Sequence, residues 1–404
     1  MKRIALLTAG ILLMVISLVH AGNRVSGWFQ SSAYGFENAA EDQQWDLYET
    51  LHLQLTPFAQ SNFKIKTLAQ YAKRGEPAEW NEKVYNLYAD WKLPKTGLKL
   101  RVGRQFLFSG VINGTLDAVR LDKKLGDKLT ARVVVGTVPG YERKLKVKEW
   151  DAGNAIGGYL TYYTPLLNRL ELSYFQKARS GETYWQQLGS TLGGDLLSGM
   201  LHYYLRFDYN LKSKEYQTLR ARLNYYLPRW GFSAEFTSRR PQIYEDSFFN
   251  IFDIKPYNQI RTAATYFMGK YELSLQYLFT VYETHDFYIL YKDDNDSRII
   301  GSISTPYGVF GLIYQTGMGG DNVGYYAQLQ YEVLEGLKAK LYNSYYNYER
   351  AYTNISEDAL SFSAGLEYRV LRNLDLAGEV QQSSNTYYKN DWRGLFRLTY
   401  HFRY

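Results

Sequence analysis

Pairs of cationic side chains separated by a single residue recur along this sequence. They are Lys64 and Lys66 in "FKIKTLAQY", Lys99 and Arg101 in "LKLRVG", and Arg220 and Arg222 in "LRARLNYYL". Residues two apart on a β-strand point to the same face, so each pair predicts a cationic surface exposed to water. Clustered cations attract anions, most strongly where apolar walls focus the field. The spacing therefore predicts electrostatic binding of anions.

Alternation along each strand assigns a set of charged side chains to one interior face. The cations are Lys64, Lys66, Lys99, Arg101, Arg104, Arg120, Arg132, Arg220 and Arg222, and the acids are Glu332, Glu367 and Glu379. The cations come from the first part of the chain and the acids from the last part. The sequence thus predicts a basic arc of wall facing a mainly acidic arc, which Lys338 and Lys340 interrupt. The alternative is that these side chains are simply the polar lining of a wetted interior.

Motifs that would support catalysis or metal binding do not occur in this sequence. The histidines that follow residue 21 are His52, His202, His285 and His401, and they form no His-Glu-x-x-His motif. The absence of cysteine excludes disulfides and thiolate metal ligands. We predict no catalytic residues, no metal site and no cofactor. A hydrolytic site at one rim, and calcium binding by the acidic segment 291–297 or by "GGDN" at 319–322, remain alternatives.

Strands must position these side chains, because hydrophobic alternation with a period of two runs through nearly the whole chain. Examples are "YELSLQYLF" (271–279) and "LSFSAGLEYRV" (360–370). No apolar run after residue 21 approaches the roughly 18 to 20 residues of a membrane helix. Short turns alternate with longer polar loops, as in outer-membrane barrels. We predict an all-β fold: a closed antiparallel transmembrane β-barrel, an up-and-down meander of about 22 strands (16 to 22), with no plug domain.

The last segment, "WRGLFRLTYHFRY", carries this pattern to residue 404. One face holds Phe396, Leu398, Tyr400, Phe402 and Tyr404, and the other holds Arg393, Arg397, His401 and Arg403. In lipid, every backbone N–H and C=O must be paired within the protein, so we expect this strand to close the sheet against the first strand. A final strand that ends in an aromatic residue resembles the C-terminal assembly signal of bacterial outer-membrane proteins. The resemblance implies that Phe402 and Tyr404 are recognised by the barrel-assembly machinery.

The N-terminal segment, residues 1–21, is typical of a signal peptide. Lys2 and Arg3 precede an apolar stretch, and Val19-His20-Ala21 fits a cleavage site. The alternative is a permanent membrane anchor. We predict export to the bacterial outer membrane and one domain, the barrel, over residues 22–404. The 40 tyrosines suit a surface that is apolar at one end and wet at the other. The net charge of +7 is too mild and too interspersed with acids to indicate nucleic-acid binding.

The segment "RVGRQFLFSGVINGTLDAVRL" (101–121) resembles the strand-loop-strand pattern of alginate-export and related porin-like barrels. The matching residues are Gly103, Arg104, Gln105, Asp117, Val119, Arg120 and Leu121, whereas Ala118 stands where that family has glycine. The match implies a porin-type barrel with Arg104 and Arg120 lining the pore. Strict alternation from Leu98 directs Arg104 outward, so a bulge at Gly103 would be needed to turn it inward.

These features predict a porin, a water-filled channel for small hydrophilic solutes that favours anions or sugar acids. Outer-membrane lipids, lipopolysaccharide and the barrel-assembly machinery are its expected partners, and nucleic acid is not. A structural sleeve or docking barrel for a partner protein is the main alternative. The long aromatic segment 239–259 is the candidate for a loop that folds in and narrows the pore.

Deleting Tyr404, or replacing both Phe402 and Tyr404 with serine, should block membrane assembly, because the final strand then no longer ends in an aromatic residue. The amount of protein in isolated outer membranes measures this. Arg403→Gln, which leaves both aromatic residues in place, is the control. Wild-type amounts of the doubly substituted protein would show that the terminal aromatics are not an assembly signal.

Overall fold

The computed structural model describes residues 24–37, 42–57, 62–74, 79–164, 168–240, 255–283, 294–318, 320–349, 355–386 and 390–404. The signal peptide expected at 1–21 lies outside these residues. The strands are β1 (Arg24–Glu37), β2 (Gln43–Thr56), β3 (Phe63–Arg74), β4 (Glu79–Leu93), β5 (Leu98–Ser109), β6 (Ile112–Leu125), β7 (Leu129–Thr137), β8 (Asn154–Thr164), β9 (Asn168–Arg179), β10 (Glu182–Leu196), β11 (Leu201–Asn210), β12 (Glu215–Tyr226), β13 (Trp230–Arg239), β14 (Tyr257–Met268), β15 (Tyr271–Tyr282), β16 (Asn295–Thr305), β17 (Gly308–Gly317), β18 (Asn322–Leu334), β19 (Leu337–Glu349), β20 (Ser356–Leu371), β21 (Leu374–Ser384) and β22 (Asp391–Arg403). Two single turns of 3-10 helix lie at Trp150–Ala152 and Leu197–Gly199.

The strands form one closed antiparallel barrel. Each strand pairs with its neighbours in sequence, and β22 pairs with β1 to complete a 22-stranded sheet. The closing seam runs from Ser26 opposite Arg403 to Gly35 opposite Gly394. Beyond this register, the backbone N–H of Tyr404 donates to the carbonyl of Val25 at 2.8 Å. The prediction of a closed up-and-down barrel is confirmed, and within the described residues no plug domain fills it.

Alternation divides the barrel wall into two chemically different faces. On the outward face, large apolar side chains such as Leu223, Leu275, Leu312 and Phe396 are exposed. On the inward face, charged side chains lie opposite one another across adjacent strands, as Arg101 does with Arg120. A soluble protein would bury the apolar face, so this arrangement suits a wall with lipid outside and water inside.

The only helices among the described residues are the two short 3-10 turns. None of their helices is long and apolar enough to cross a bilayer.

Two clusters of buried apolar side chains lie on opposite faces of the wall. The larger one is formed by Leu107, Val111, Ile112, Leu116, Ala118, Val134, Ala155 and Phe175. It lies on the inward face, where the distal half of the β5–β6 hairpin meets β7, β8 and β9. The smaller one joins Val25 and Phe402 on the outward face of the β1–β22 seam.

Replacing Leu398 with arginine tests the assignment of the two faces. Leu398 lies on the outward face of β22, so a cation there should cost about 2–4 kcal/mol of folding free energy if the site lies near the bilayer midplane. Thr399→Arg is the matched control, because the next residue points inward to water. Folding into lipid vesicles, followed by the mobility of unheated protein on denaturing gels, compares the two variants. Equal folding of both would contradict the assignment.

Candidate functional site

The distal half of the β5–β6 hairpin leaves the barrel wall. Pairing between β4 and β5 ends at Leu87 opposite Arg104, whereas β5 and β6 remain paired to Ser109 opposite Ile112. Pairing between β6 and β7 likewise ends at Asp117. Residues 105–116 are therefore paired with each other and with neither neighbouring strand. We call them the inner hairpin.

Gly103 marks the point where the inner hairpin departs. Its φ of +118° lies in a region that side-chain-bearing residues rarely adopt. A Cβ at this position would also lie 2.3 Å from the carbonyl oxygen of Leu87. Both the backbone conformation and the lack of room for a Cβ atom require glycine at position 103. The bulge predicted at Gly103 does not form; this glycine is instead the point where the whole hairpin turns away from the wall.

The inner hairpin packs against the inside of the barrel. Its residues Leu107, Ile112 and Leu116 contact Val134 and Phe175 in the larger apolar cluster. Val134 lies on the inward face of β7, two residues after Arg132. Gly157 on β8 lies opposite both Val134 and Phe175, so Phe175 lies on the inward face of β9. The hairpin therefore occupies part of the lumen.

Small residues on the inner wall form the seat of the hairpin. A Cβ at Gly157 would lie 2.9 Å from Cδ1 of Ile112, and a Cβ at Gly189 would lie 2.5 Å from Cγ1 of Val111. Ser173 lies between them, and its Oγ accepts a hydrogen bond of 3.1 Å from the backbone N–H of Val111. The same hydroxyl donates to the carbonyl of Gly189 at 3.3 Å. The seat reaches from β8 to β10.

Two arginines of the wall tether the hairpin tip. Nη2 of Arg206 on β11 donates to the carbonyl of Gly110 at 3.3 Å. Nη1 of Arg132 donates to Oγ of Ser109. Arg132 faces the lumen as the alternation predicted, and it also contacts the hairpin.

The opposite face of the inner hairpin carries two exposed phenylalanines. Phe106 and Phe108 are 54% and 73% exposed and point away from the seat. They pair across the hairpin with Thr115 and Asn113. Both faces of the inner hairpin are therefore apolar. The sequence shows this as the run "FLFSGVI" (106–112), which lacks the alternation of apolar and polar residues found in the strands of the barrel wall.

Arg104 is buried, with 4% of its surface exposed. Its Nε and Nη2 donate to the two carboxylate oxygens of Asp117 at 2.7 and 2.8 Å. Its Nη1 donates to the carbonyls of Arg143 and Lys144, at 3.0 and 2.8 Å, in the connection between β7 and β8. This connection covers the guanidinium, which consequently does not reach the water of the lumen.

The strand register around Arg104 shows that the expected bulge is absent. Arg104 lies opposite Leu87 and the ladder shows no shift at Gly103, so Arg104 stays on the outward parity. The interpretation of Arg104 as a pore-lining residue is replaced by that of a structural clip, which joins the base of the inner hairpin to the loop outside it.

The structure brings most of the predicted cations together. Cross-strand partners place Lys64, Asp90, Arg101 and Arg120 in one row over β3 to β6. Lys66 lies on the same face of β3, and a second row holds Lys99, Asp122 and Arg132. Arg220 and Arg222 share the inward face of the more distant strand β12, where Arg206 lies opposite Arg220.

Three carboxylates that were not among the predicted lining residues neutralise part of this basic arc. Asp90 accepts from Lys99 at 3.0 Å and from Arg101 at 3.1 Å. Asp122 pairs with Arg120 and Arg132 at 2.6 and 2.5 Å, and Glu235 pairs with both Arg220 and Arg222. Six of the eight cations therefore share three acids, whereas Lys64 and Lys66 have no ion-pair partner among the described residues. Alternation alone would have found Asp122, two residues after Arg120, but Glu235 needs the strand register.

The opposite arc of the wall is mixed in charge, which corrects the expectation that it is mainly acidic. Glu332, Lys338 and Glu367 follow one another across β18 to β20. Glu367 also pairs with Lys340 at 2.6 Å. Glu379 faces inward opposite Gly365. Asp375 lies 3.4 Å from Arg369 and 3.0 Å from His401. The predicted acids share one face of the sheet, and cations lie among them.

Two predicted features fall partly outside the described residues. These are the constriction loop 239–259, of which 241–254 is not described, and the acidic segment 291–297, of which 291–293 is not described. Within the described part of the chain, no group of three or more acids and histidines is arranged to hold a metal ion.

Comparison with known proteins shows a shared fold. No family model matches this chain, and no curated protein sequence does. The siderophore receptor PirA from Pseudomonas aeruginosa superimposes with a TM-score of 0.60 at 11% identity, over 94% of this chain and 80% of that chain. The P pilus usher (PapC) translocation pore gives 0.53 at 9% identity, over 93% and 99%. OccAB4 of Acinetobacter baumannii gives 0.46 at 13%, over 95% and 98%, too distant to carry an argument.

At these identities the first two likenesses establish a large β-barrel and nothing further. The resemblance of residues 101–121 to alginate-export barrels receives no support from the comparisons. The structure explains that segment by the packing of the inner hairpin instead.

Filling the seat at Gly157 should displace the inner hairpin. Gly157→Val adds bulk where a Cβ already lies 2.9 Å from Ile112 and Val134, whereas nothing lies within 4 Å of a Cβ at Gly158. In a Val111→Cys background, Gly157→Val should raise the rate of thiol labelling by a water-soluble maleimide at least about tenfold, because Val111 is only 5% exposed when docked. Gly158→Val should leave the rate unchanged. Equal rates in both variants would contradict the docked position.

Proposed function

We propose that this protein is an outer-membrane channel through which small hydrophilic solutes diffuse. The observation that carries the proposal is a closed barrel with an apolar outer face, a charged inner face and a hairpin folded into its lumen. Lipid stabilises the outer face, and the charged inner face needs water. A water-filled passage across the membrane follows from this arrangement.

The inner hairpin favours a channel over a structural sleeve. A barrel of 22 strands is wide, and barrels of that size are typically occupied inside. A sleeve for a partner protein requires an unobstructed lumen, whereas the inner hairpin extends from β5 across β8 to β11. An element fixed inside the lumen narrows it and brings a passing solute closer to the charged wall.

We propose that the channel favours anions, sugar acids among them. The eight predicted cations outnumber the three carboxylates that pair with six of them, which leaves an excess of about five positive charges among these eleven groups. The mixed arc on β18 to β22 does not cancel this excess. At physiological salt the field extends about 8 Å into the water, so the narrowing by the inner hairpin is needed for the preference.

Export, assembly and membrane contacts are proposed on the same basis. Residues 1–21 would direct export and residues 22–404 would form the barrel. Phe402 and Tyr404 would be presented to the barrel-assembly machinery before the seam closes. The apolar outer face would contact outer-membrane lipids and lipopolysaccharide.

Planar-bilayer recording tests the channel and its selectivity separately. Stepwise conductance is expected for the wild-type protein, and an inability to conduct would contradict the channel itself. In a salt gradient, we expect a reversal potential that indicates an anion preference of several-fold, since eight cations can bias a monovalent anion by about 1 kcal/mol in a narrow lumen.

Replacing Arg101, Arg120, Arg220 and Arg222 with glutamine should shift this reversal potential toward cations. The four changes remove four of the eight positive charges and free part of the coordination of Asp90, Asp122 and Glu235. Lys144→Gln with Lys148→Gln, in the exposed β7–β8 connection, is the control for a change of net charge outside the lumen. An unchanged reversal potential in the fourfold variant would contradict anion selection by the basic arc.

A further inference from the structure

A cation-lined pocket lies at the rim of the barrel where β1 begins and β22 ends. Its volume is about 610 Å³, and it opens between the inward faces of β1 to β5 and the end of β22. Lys99 and Arg101 line it and pair with Asp90, the one acidic side chain among its lining residues. We call it the rim pocket.

Five further cations line the rim pocket without an ion-pair partner among the described residues. They are Arg24, Lys64, Lys66, Lys92 and Arg403. With Lys99 and Arg101 they make seven cationic side chains around one acidic side chain, which leaves an excess of five positive charges when the terminal carboxylate of Tyr404 is counted with Asp90. By contrast, Arg120 and Arg132 on β6 and β7, and Arg220 and Arg222 on β12, each have a carboxylate beside them.

The strand register holds like charges close together in this pocket. Lys92 lies directly opposite Lys99 across β4 and β5, and Lys64 and Lys66 lie two residues apart on the same face of β3. Like charges facing each other across two strands are destabilising. A bound anion between them would remove this repulsion and would bind more tightly for the same reason.

We infer that the rim pocket binds a compact oxyanion that carries two or more negative charges, such as a phosphate compound or a small polycarboxylate. The inference rests on the proposed channel, since it assigns a binding step at one mouth of the same lumen. Lysine ammonium groups donate up to three hydrogen bonds each and suit phosphate and carboxylate oxygens. The pocket volume lies within the range of small-ligand sites.

The valence requirement follows from the charge excess. The attraction energy is proportional to the charge of the ligand. The factor by which it raises the binding constant of a monovalent anion is therefore roughly squared for a divalent anion and cubed for a trivalent one. Monovalent anions should therefore pass through, whereas polyvalent anions should be retained in the rim pocket.

Calorimetric titration of the detergent-solubilised barrel tests this without measuring conduction. Pyrophosphate, citrate and acetate are compared at one ionic strength. We expect pyrophosphate or citrate, or both, to bind at least about tenfold more tightly than acetate, and the stronger of the two identifies phosphate or carboxylate as the preferred group. Equal, weak binding of all three would overturn the inference.

The double variant Lys64→Gln, Lys92→Gln should lower the affinity for the polyvalent anion at least about tenfold. Neither lysine has an ion-pair partner among the described residues, so the barrel should remain folded, which the mobility of unheated protein on a gel verifies. Lys338→Gln with Lys340→Gln, on the mixed arc, is the matched control and should retain the affinity. Equal affinities for the two double variants would overturn the assignment to the rim pocket. Binding without conductance would contradict only the channel, and conductance without binding would contradict only the pocket.

Discussion

The need to pair every backbone N–H and C=O determines this architecture. In a bilayer, water does not satisfy these groups, so a sheet has to close on itself. The register between β1 and β22 achieves this closure over ten residue pairs. The inner hairpin is the place where the constraint is most difficult to meet, because residues 105–116 give up their pairing with β4 and β7.

The β7–β8 connection compensates for the lost pairing. The backbone N–H of Val84 on β4 donates to the carbonyl of Arg143 at 2.8 Å. Arg104 donates to that same carbonyl and to its neighbour at Lys144, while its other nitrogens bind Asp117. A single buried guanidinium thus satisfies loop carbonyls and fixes the base of the hairpin. The cost of burying its charge is offset by the bidentate carboxylate.

Strict alternation was sufficient to predict the barrel, because one face had to be apolar and the other polar in every strand. It failed for residues 105–116, because this hairpin leaves the wall and is apolar on both faces: one face packs against the inside of the barrel, and the other carries Phe106 and Phe108. The expected bulge at Gly103 assumed that Arg104 belonged to the lumen, whereas burial against Asp117 satisfies its charge without water. Alternation also failed to predict which charges neutralise one another. Glu235 on β13 pairs with Arg220 and Arg222 on β12, and only the strand register reveals this.

The described inner wall combines local charge balance with one cation-rich region, the rim pocket. Ion pairs on β6, β7 and β12 reduce the field of the basic arc, and cations among the acids of β18 to β22 reduce the opposing field. The described wall therefore does not consist of a basic arc facing a mainly acidic one. In the proposed channel, selectivity would depend on how near a solute is brought to the remaining cations, and the inner hairpin would set that distance.

Disulfide trapping of the inner hairpin tests this account most directly, since the wild-type chain contains no cysteine. A Cβ at Gly189 lies 2.5 Å from Cγ1 of Val111, so the Val111→Cys, Gly189→Cys pair should oxidise readily in the assembled barrel. The Phe108→Cys, Gly189→Cys pair, with Phe108 on the far face of the hairpin, is the control. The account predicts a rapid cross-link in the first pair only, with single-channel conductance unchanged by oxidation. A first pair that stays reduced, or a conductance that falls when the cross-link forms, would contradict a hairpin that rests inside the lumen.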